Sequence, residues 1–440
     1  MVEVAKPGHP YTRMTEVATC ALAGNAFSAR LKLPVVRYVT SMVASYLLNG
    51  VSGLVVLRFL DPLTVGWWNT AQLVKIPLDL TRMGILNGLN REYPFLIGAG
   101  KPEKAHRMLE AGLAHTLAML LVGQVGTALA VVSLRDTSPN LLFGIVAASL
   151  IWGLTYYTQF NRAMLRSSAA FGRVGPLELA VTAVDAIAVL AVWKWGYWGL
   201  LVRGVFTAIN LAAVFYWIQP ATVSPHWDWK AMKHMFKFGR HAFLTNWLGL
   251  LGQQADRIWI LAAVDGVRML GFYSPAIFCM TFLSMIPGVV QNYFYPQWVE
   301  SFGRHQDRRV LARQIFRQTS RVAALMVPIS AVSAIGIDVL VLNFLPQYAT
   351  GERAAQLACL TGPLFSFRLC TSYFAAVHQW KEYWIYTTML AVLPFLLIPL
   401  FMIIMMPLES AVLGAVGNLA ISGIALWFMT IRDVAKISPQ

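Results

Sequence analysis

Six basic residues fall inside strongly apolar stretches: Arg37, Lys75, Arg82, Arg203, Arg257 and Arg368. A charge taken into hydrocarbon is costly, so such residues mark a pathway or a binding site by default. Their neighbours recur at helical spacing. Arg37, Ser41, Ser45 and Asn49 repeat every four residues, and Gln72, Lys75, Asp79, Arg82 and Asn90 fit one helix face. Glu178, Thr182 and Asp185 form a third stripe, Arg203, Thr207 and Asn210 a fourth, and Asn246, Gln253 and Arg257 a fifth with Asp256 beside it. Pointed at one water-filled cavity, these stripes would make a cationic lining. Its binding set would be Arg37, Lys75, Arg82, Arg203, Arg257 and Arg368, with the amides Asn49, Asn87 and Gln253. The basic groups outnumber the acidic ones, so the chemistry is recognition of an anion. Arginine suits diphosphate through fork-like hydrogen bonds to its oxygens.

The carboxylates Asp79, Asp185, Glu178 and Asp256 are the candidates for coupling to an ion, H⁺ or Na⁺. A second reading stands beside each stripe: the polar groups pair off and hold helices together. Asp79 and Arg82, one turn apart, fit a local ion pair as well as an open role. Asp256 and Arg257 read as a structural pair near a helix end, and Arg203 is close enough to the start of its span to reach outward.

The elements that must position these groups are membrane helices. The chain has 440 residues, 57% hydrophobic and 12% charged, against roughly 25% charged in soluble domains. About twelve apolar runs are long enough to cross a bilayer, the first near 35–57 and the last near 408–430. With the N-terminus in the cytosol, 24 of the 35 Lys and Arg fall in inner segments and five in outer loops. That positive-inside bias predicts an even number of helices and two cytoplasmic ends. Residues 1–33 show no secretory signal and read as a cytosolic tail.

An internal repeat sets the organisation. Asn90–Pro94 (NREYP) parallels Asn292–Pro296 (NYFYP), each followed closely by a glycine and a basic residue. Upstream, Asp61 and Gly66-Trp67 parallel Asp265 and Gly271-Phe272. Six spans separate the copies, so the halves are parallel. The predicted divisions are a six-helix lobe at 34–218, a basic interfacial linker helix at 219–240, a second lobe at 241–431 and a cytosolic tail at 432–440.

Catalytic chemistry finds no support. The loops are too short for a soluble catalytic domain. There is no P-loop and no H-E-x-x-H pair, and the four cysteines are scattered, so no metal or cofactor is expected. The charge of +15 is spread over loops rather than gathered on a soluble face, which argues against nucleic acid.

The stretch from Val55 to Ala105, with its turn Arg58-Phe59-Leu60-Asp61-Pro62 and the run Asn87-Gly88-Leu89-Asn90-Arg91-Glu92, resembles the first helical hairpin of Wzx-type polysaccharide flippases. These belong to the multidrug/oligosaccharidyl-lipid/polysaccharide exporter superfamily. Asp61 stands where glycine is usual in that turn. The stretches Phe236–Ala276, Ile286–Arg304 and Leu342–Gly351 are similar to the family's second half.

The resemblance implies an all-α polytopic protein of about twelve helices, in two six-helix lobes around a central cavity. It implies a non-enzymatic carrier in a bacterial inner membrane, moving a polyprenyl-diphosphate-linked saccharide to the outer leaflet by alternating access. Membrane lipids and polysaccharide polymerase machinery would be its partners, and its context O-antigen or lipopolysaccharide assembly. Asp256-Arg257 and Asn87–Pro94 match recurring family positions of architectural character. Two rivals are a multidrug/cation exporter of the same superfamily, expected to have a more acidic or apolar cavity, and a membrane-embedded glycosyltransferase or polymerase, expected to carry a large outer loop.

Overall fold

The computed structural model describes residues 26–98, 100–167, 171–219, 223–305, 307–377 and 379–436. The first 25 residues, with Cys20, and the last four lie outside that description. Among the described residues there is no strand, and nine helices are long and apolar enough to cross a membrane. Twelve passes result, because three more are built from broken helices.

The first pass is α1 (Ala26–Phe59). The second is broken: α2 (Pro62–Ala71), a 3₁₀ turn, α3 (Lys75–Leu80) and α4 (Ile85–Gly98). Then come α5 (Pro102–Ser133), α6 (Pro139–Ser167), a fifth pass of α7 (Phe171–Ile187) with α8 (Val189–Trp195), and α9 (Tyr197–Trp217). The seventh pass joins α10 (Trp229–Gln253) to α11 (Ala255–Ala262), and the eighth joins α12 (Gly266–Phe272) to α13 (Ser274–His305). The ninth is α14 (Arg308–Phe344). The tenth is again in pieces: α15 (Glu352–Ala358), α16 (Thr361–Phe365), a 3₁₀ turn over Ser366–Cys370 and α17 (Thr371–Val377). Helices α18 (Trp380–Met402) and α19 (Pro407–Ala435) close the chain.

The second pass, read from the sequence as one helix over 65–88, breaks in a turn over residues 81–84, where Met83 and Gly84 both have positive φ, 48° and 73°. A side chain at Gly84 would meet Phe243 and the Gly239 carbonyl within 3 Å. The unusual Asp61 has a local explanation. It caps α2, its carboxylate accepting from Thr64 N at 3.1 Å, with Pro62 beginning the helix.

Residues of the repeat meet in space. A Cβ on Gly66 would lie 1.9 Å from the Val267 carbonyl, and one on Gly271 would lie 1.7 Å from the Pro62 carbonyl. Only glycine lets α2 and α12 touch backbone to backbone there. At the opposite, basic end the contact is between α4 and α10. Added Cβ atoms on Gly88 and Gly239 would strike the Met235 and Gly84 carbonyls at 2.1 and 1.9 Å.

The segment expected as a separate interfacial helix is the start of α10, capped by Asp228 and running unbroken into the seventh pass. Met232, Met235 and Gly239 bury one of its faces, the methionines joining the Leu86–Leu89 core, while Lys230, Lys233, Lys237 and Arg240 line the exposed face. The largest apolar core draws its buried members entirely from residues 255–426, so passes seven to twelve pack around their own centre.

Candidate functional site

Most of the intramembrane charges are already paired. Arg82 Nη2 lies 2.8 Å from Asp79 Oδ1, and Nη1 donates to Gln159 Oε1 at 3.1 Å. Its guanidinium also lies over the rings of Trp152 and Tyr156, at 5.5 and 5.1 Å from their centroids. Trp152 Nε1 donates to the same Asp79 oxygen at 2.7 Å, and Tyr156 is in turn 3.2 Å from His115 Nδ1. Trp152, Tyr156 and Gln159 share one face of α6 at steps of four and three. Sequence reading missed these partners, although that spacing was available to it.

Arg203 turns inward rather than reaching outward. Its Nε donates to Asp185 Oδ1 at 3.0 Å, its Nη2 to the second carboxylate oxygen and to Ser52 Oγ. Thr207 donates to Asp185 at 2.5 Å. This fork ties passes one, five and six together. Glu178 is held by Arg162, Nη2 to Oε1 at 3.0 Å, with Arg162 over the Phe215 ring. Each of the three carboxylates in the first half therefore has its own arginine.

The remaining cations differ. Lys75, at the start of α3, and Arg257, in the first turn of α11, have no ion pair or side-chain hydrogen bond among the described residues, and Arg257 Nε is buried without a partner. Lys75 belongs to the second pass and Arg257 to the seventh, and these two passes meet beside Lys75. Trp247 Nε1 fixes this junction by donating to the Ile76 carbonyl at 3.0 Å. Gln72 Nε2, one turn before Lys75, is also buried and unpartnered. Arg368, in the 3₁₀ turn of pass ten, is exposed, and its side chain has no ion-pair or hydrogen-bond partner among the described residues. Unpaired cations and unused donors thus share the region where the second and seventh passes meet.

Asp256 stands apart from the other acids. It is buried and accepts from Tyr273 OH at 2.9 Å and from the Arg257 backbone N–H at 2.7 Å. The guanidinium of Arg257 does not reach it, so the expected side-chain pair is absent. Asn49 and Gln253 are exposed and Asn87 is half-buried, and none makes a side-chain hydrogen bond among the described residues. Arg37 lies in α1, with its side chain outside the description. Among the described residues no cluster of three or more metal-ligating side chains occurs.

At the end opposite the basic loops, a latch crosses between halves. Gln347 Nε2 donates to the carbonyls of Leu57 and Arg58 at 3.0 and 3.2 Å, Tyr348 OH to Leu60 O at 2.8 Å, and Arg58 Nη1 to Phe344 O at 2.8 Å. Asn69 adds a bond to Ser274 Oγ at 2.8 Å.

A family model described as polysaccharide biosynthesis protein matches residues 116–348, more than half of the chain. The chain belongs to this family. Its fold is that of the MATE transporters. It overlays on the inward-facing conformation of a multidrug resistance MATE family transporter of the MOP superfamily with a TM-score of 0.75 at 11% identity, covering 89% of this chain and 94% of that one. An outward-facing structure of such a transporter gives 0.68 at 12% identity, covering 91% and 95%. A MOP superfamily transporter from Pyrococcus furiosus, described as having a binding pocket of reverse polarity, gives 0.65 at 12%, with the same coverage. No curated protein matches the chain in sequence. The resemblance read from the sequence thus holds for family and fold, and the all-α, twelve-pass expectation with it.

Proposed function

We propose that this member of the polysaccharide biosynthesis family is a flippase. It would carry a polyprenyl-diphosphate-linked oligosaccharide from the cytoplasmic to the outer leaflet of a bacterial inner membrane by alternating access. The observation that carries this reading is that Lys75 and Arg257, neither with a side-chain partner among the described residues, sit on the two passes that Trp247 joins through the Ile76 carbonyl, with Arg368 also lacking a side-chain partner. A diphosphate there would meet two cations and the unused donors of Gln72 and Arg257. The lipid tail stays in the bilayer, and no bond is made or broken. A cation exporter of the same fold would need free acids at that junction. Asp79, Asp185 and Glu178 are neutralised by arginines within the first half, which leaves Asp256, held by Tyr273 and a backbone N–H, as the one candidate acid at the junction against the two cations Lys75 and Arg257.

Two six-helix lobes would rock about the glycine contacts of α2 with α12 and of α4 with α10. The outer latch of Gln347 and Tyr348 would have to part for release. Net export needs a bias, and Asp256 is the carboxylate placed to supply it. Its partners are a hydroxyl and a backbone N–H rather than a guanidinium, so it can take a proton without breaking an ion pair. The groups around it are Tyr273 on α13, Arg257 on its own helix and, beyond that, Lys75 on α3. Asp79 acts as a fixed counter-ion in this scheme.

The decisive experiment uses purified protein in liposomes with a labelled polyprenyl-diphosphate saccharide, with and without an imposed pH gradient. Gradient-dependent appearance of the label on the opposite leaflet is expected. Transport of a lipophilic cation but not of this lipid would assign the cation-exporter function instead. Reporter fusions at Gln440 and within 305–313 are expected in the cytosol, and fusions near Asp136 or Thr350 outside.

A further inference from the structure

A second polar pocket lies far along the chain from the central cations. Near the basic end of the molecule, α13 and α14 face each other around a cavity of about 330 Å³. Helix α13 contributes Phe294, Gln297, Trp298 and Ser301. Helix α14 contributes Gln314, Arg317, Gln318 and Arg321. Both sets step by three, one and three, so each is a single helix face. Two antiparallel neighbours usually pack apolar side chains on such faces. Here one face is two amides and two guanidiniums.

None of the four α14 side chains makes a hydrogen bond or ion pair among the described residues, and both arginines are exposed. The opposite side of α14 is occupied by packing. Thr319, roughly half a turn round from Arg317, lies buried with its hydroxyl 3.7 Å from Cys370 Sγ. The polar face is therefore not left over from a frayed end. It belongs to a helix that is buried on its other side.

Depth identifies what could occupy it. From Val322 to Phe344, α14 carries no Lys or Arg. At about 1.5 Å per residue that run is roughly 35 Å long, enough for the hydrocarbon. Arg321 is the first residue before the run, and Arg317 is one turn further out, which places both at headgroup level. The far wall is aromatic. Phe294 and Trp298 stack with centroids 5.8 Å apart at 18°, Trp298 being almost fully buried. Guanidiniums recognise phosphate by bidentate hydrogen bonds, while Gln and Ser side chains suit hydroxyls.

We propose that this pocket between α13 and α14 binds a phosphate-bearing, hydroxyl-rich lipid headgroup. Two lipids present that chemistry, the diphosphate lipid of the flippase reading and an anionic phospholipid such as phosphatidylglycerol. The site requires neither the junction cations nor transport, so its test is independent of the flippase reading.

Native mass spectrometry of the full chain, titrated separately with undecaprenyl diphosphate and with phosphatidylglycerol, reads binding directly. Against the variant carrying both Arg317→Gln and Arg321→Gln, the intact protein is expected to retain one of the two lipids about tenfold more strongly. Replacing both by Lys keeps the charge but loses the fork, and an intermediate loss is expected. Preference for undecaprenyl diphosphate would make the pocket a docking point for cargo, and preference for phosphatidylglycerol a resident-lipid site. Either result supports the proposal. It is overturned if the double Gln variant, shown to unfold at the same temperature as the intact protein, retains both lipids unchanged. It is equally overturned if Arg313→Gln, exposed on the same helix outside the pocket, weakens binding as much.

Discussion

Passes one to six and the junction with pass seven handle buried charge in opposite ways. Within the first half, Asp79, Asp185 and Glu178 each meet an arginine, and the pairs are finished by neutral donors such as Trp152 and Thr207. At the junction, the side chains of Lys75 and Arg257 have no carboxylate partner among the described residues, and Asp256 reaches Arg257 only at its backbone N–H. A finished pair stabilises one arrangement of helices, because separating it strands both charges. An unfinished cluster leaves affinity for a ligand that brings the missing charge. The same residue types at similar spacing thus serve architecture in one place and, in the proposed reading, recognition in the other, where the counter-charge would come from the ligand rather than from the chain.

The sharpest way to break this contrast is charge reversal at the junction. Lys75→Glu or Arg257→Glu is expected to reduce saccharide-lipid transport by roughly 100-fold or more, since like charges facing a diphosphate cost several kcal/mol. Protein abundance and melting temperature should stay near those of the unaltered chain. A transport rate within a few-fold of normal would remove Lys75 and Arg257 from the cargo path.

Arg82→Gln should show the reverse pattern. Asp79 would keep only Trp152, and the loss of one partner of a partly buried pair is expected to cost roughly 2–3 kcal/mol. Both side chains are about one-fifth exposed, which moderates the cost. Thermal unfolding in detergent and membrane abundance should fall together. A stable Arg82→Gln protein that fails to transport would place Arg82 with Lys75 and erase the distinction.

Asp256→Asn tests whether the acid without a guanidinium partner is the energy-coupling group. Transport is expected to persist within a few-fold of normal but to lose its response to a pH gradient, whereas gradient sensitivity should survive in Asp79→Asn at whatever level that protein accumulates. Equal gradient sensitivity in Asp256→Asn and the unaltered chain would exclude Asp256. The smallest effect is expected at the outer latch. Tyr348→Phe and Gln347→Ala each remove hydrogen bonds worth about 1 kcal/mol. Spin labels at Leu63 and Val264, both exposed near the latch, should show a broadened or lengthened distance distribution in the double variant. An unchanged distribution would mean that the latch does not hold the halves closed.

The sequence by itself determined the membrane class, the number of passes and the repeat, because hydrocarbon thickness and loop charge act on composition and spacing directly. It also picked out most of the charges that lie within the passes, though not Arg162. The structure alone decided which charges received a partner. Arg82 lies closer in sequence to Lys75 than Lys75 does to Arg257, yet Arg82 is bound by Asp79 and Gln159 while Lys75 lies where the second pass meets the seventh. Helical spacing says which side chains share a face, but not which helix that face meets or whether the neighbour carries an acid. The basic segment before pass seven shows the same limit. Its Lys and Arg spacing was legible as a solvent face, but Gly239 against Gly84, and Met232 and Met235 in the Leu86–Leu89 core, hold its other side to α4. Those contacts depend on two distant helices fitting together at backbone distance, which only the tertiary packing decides.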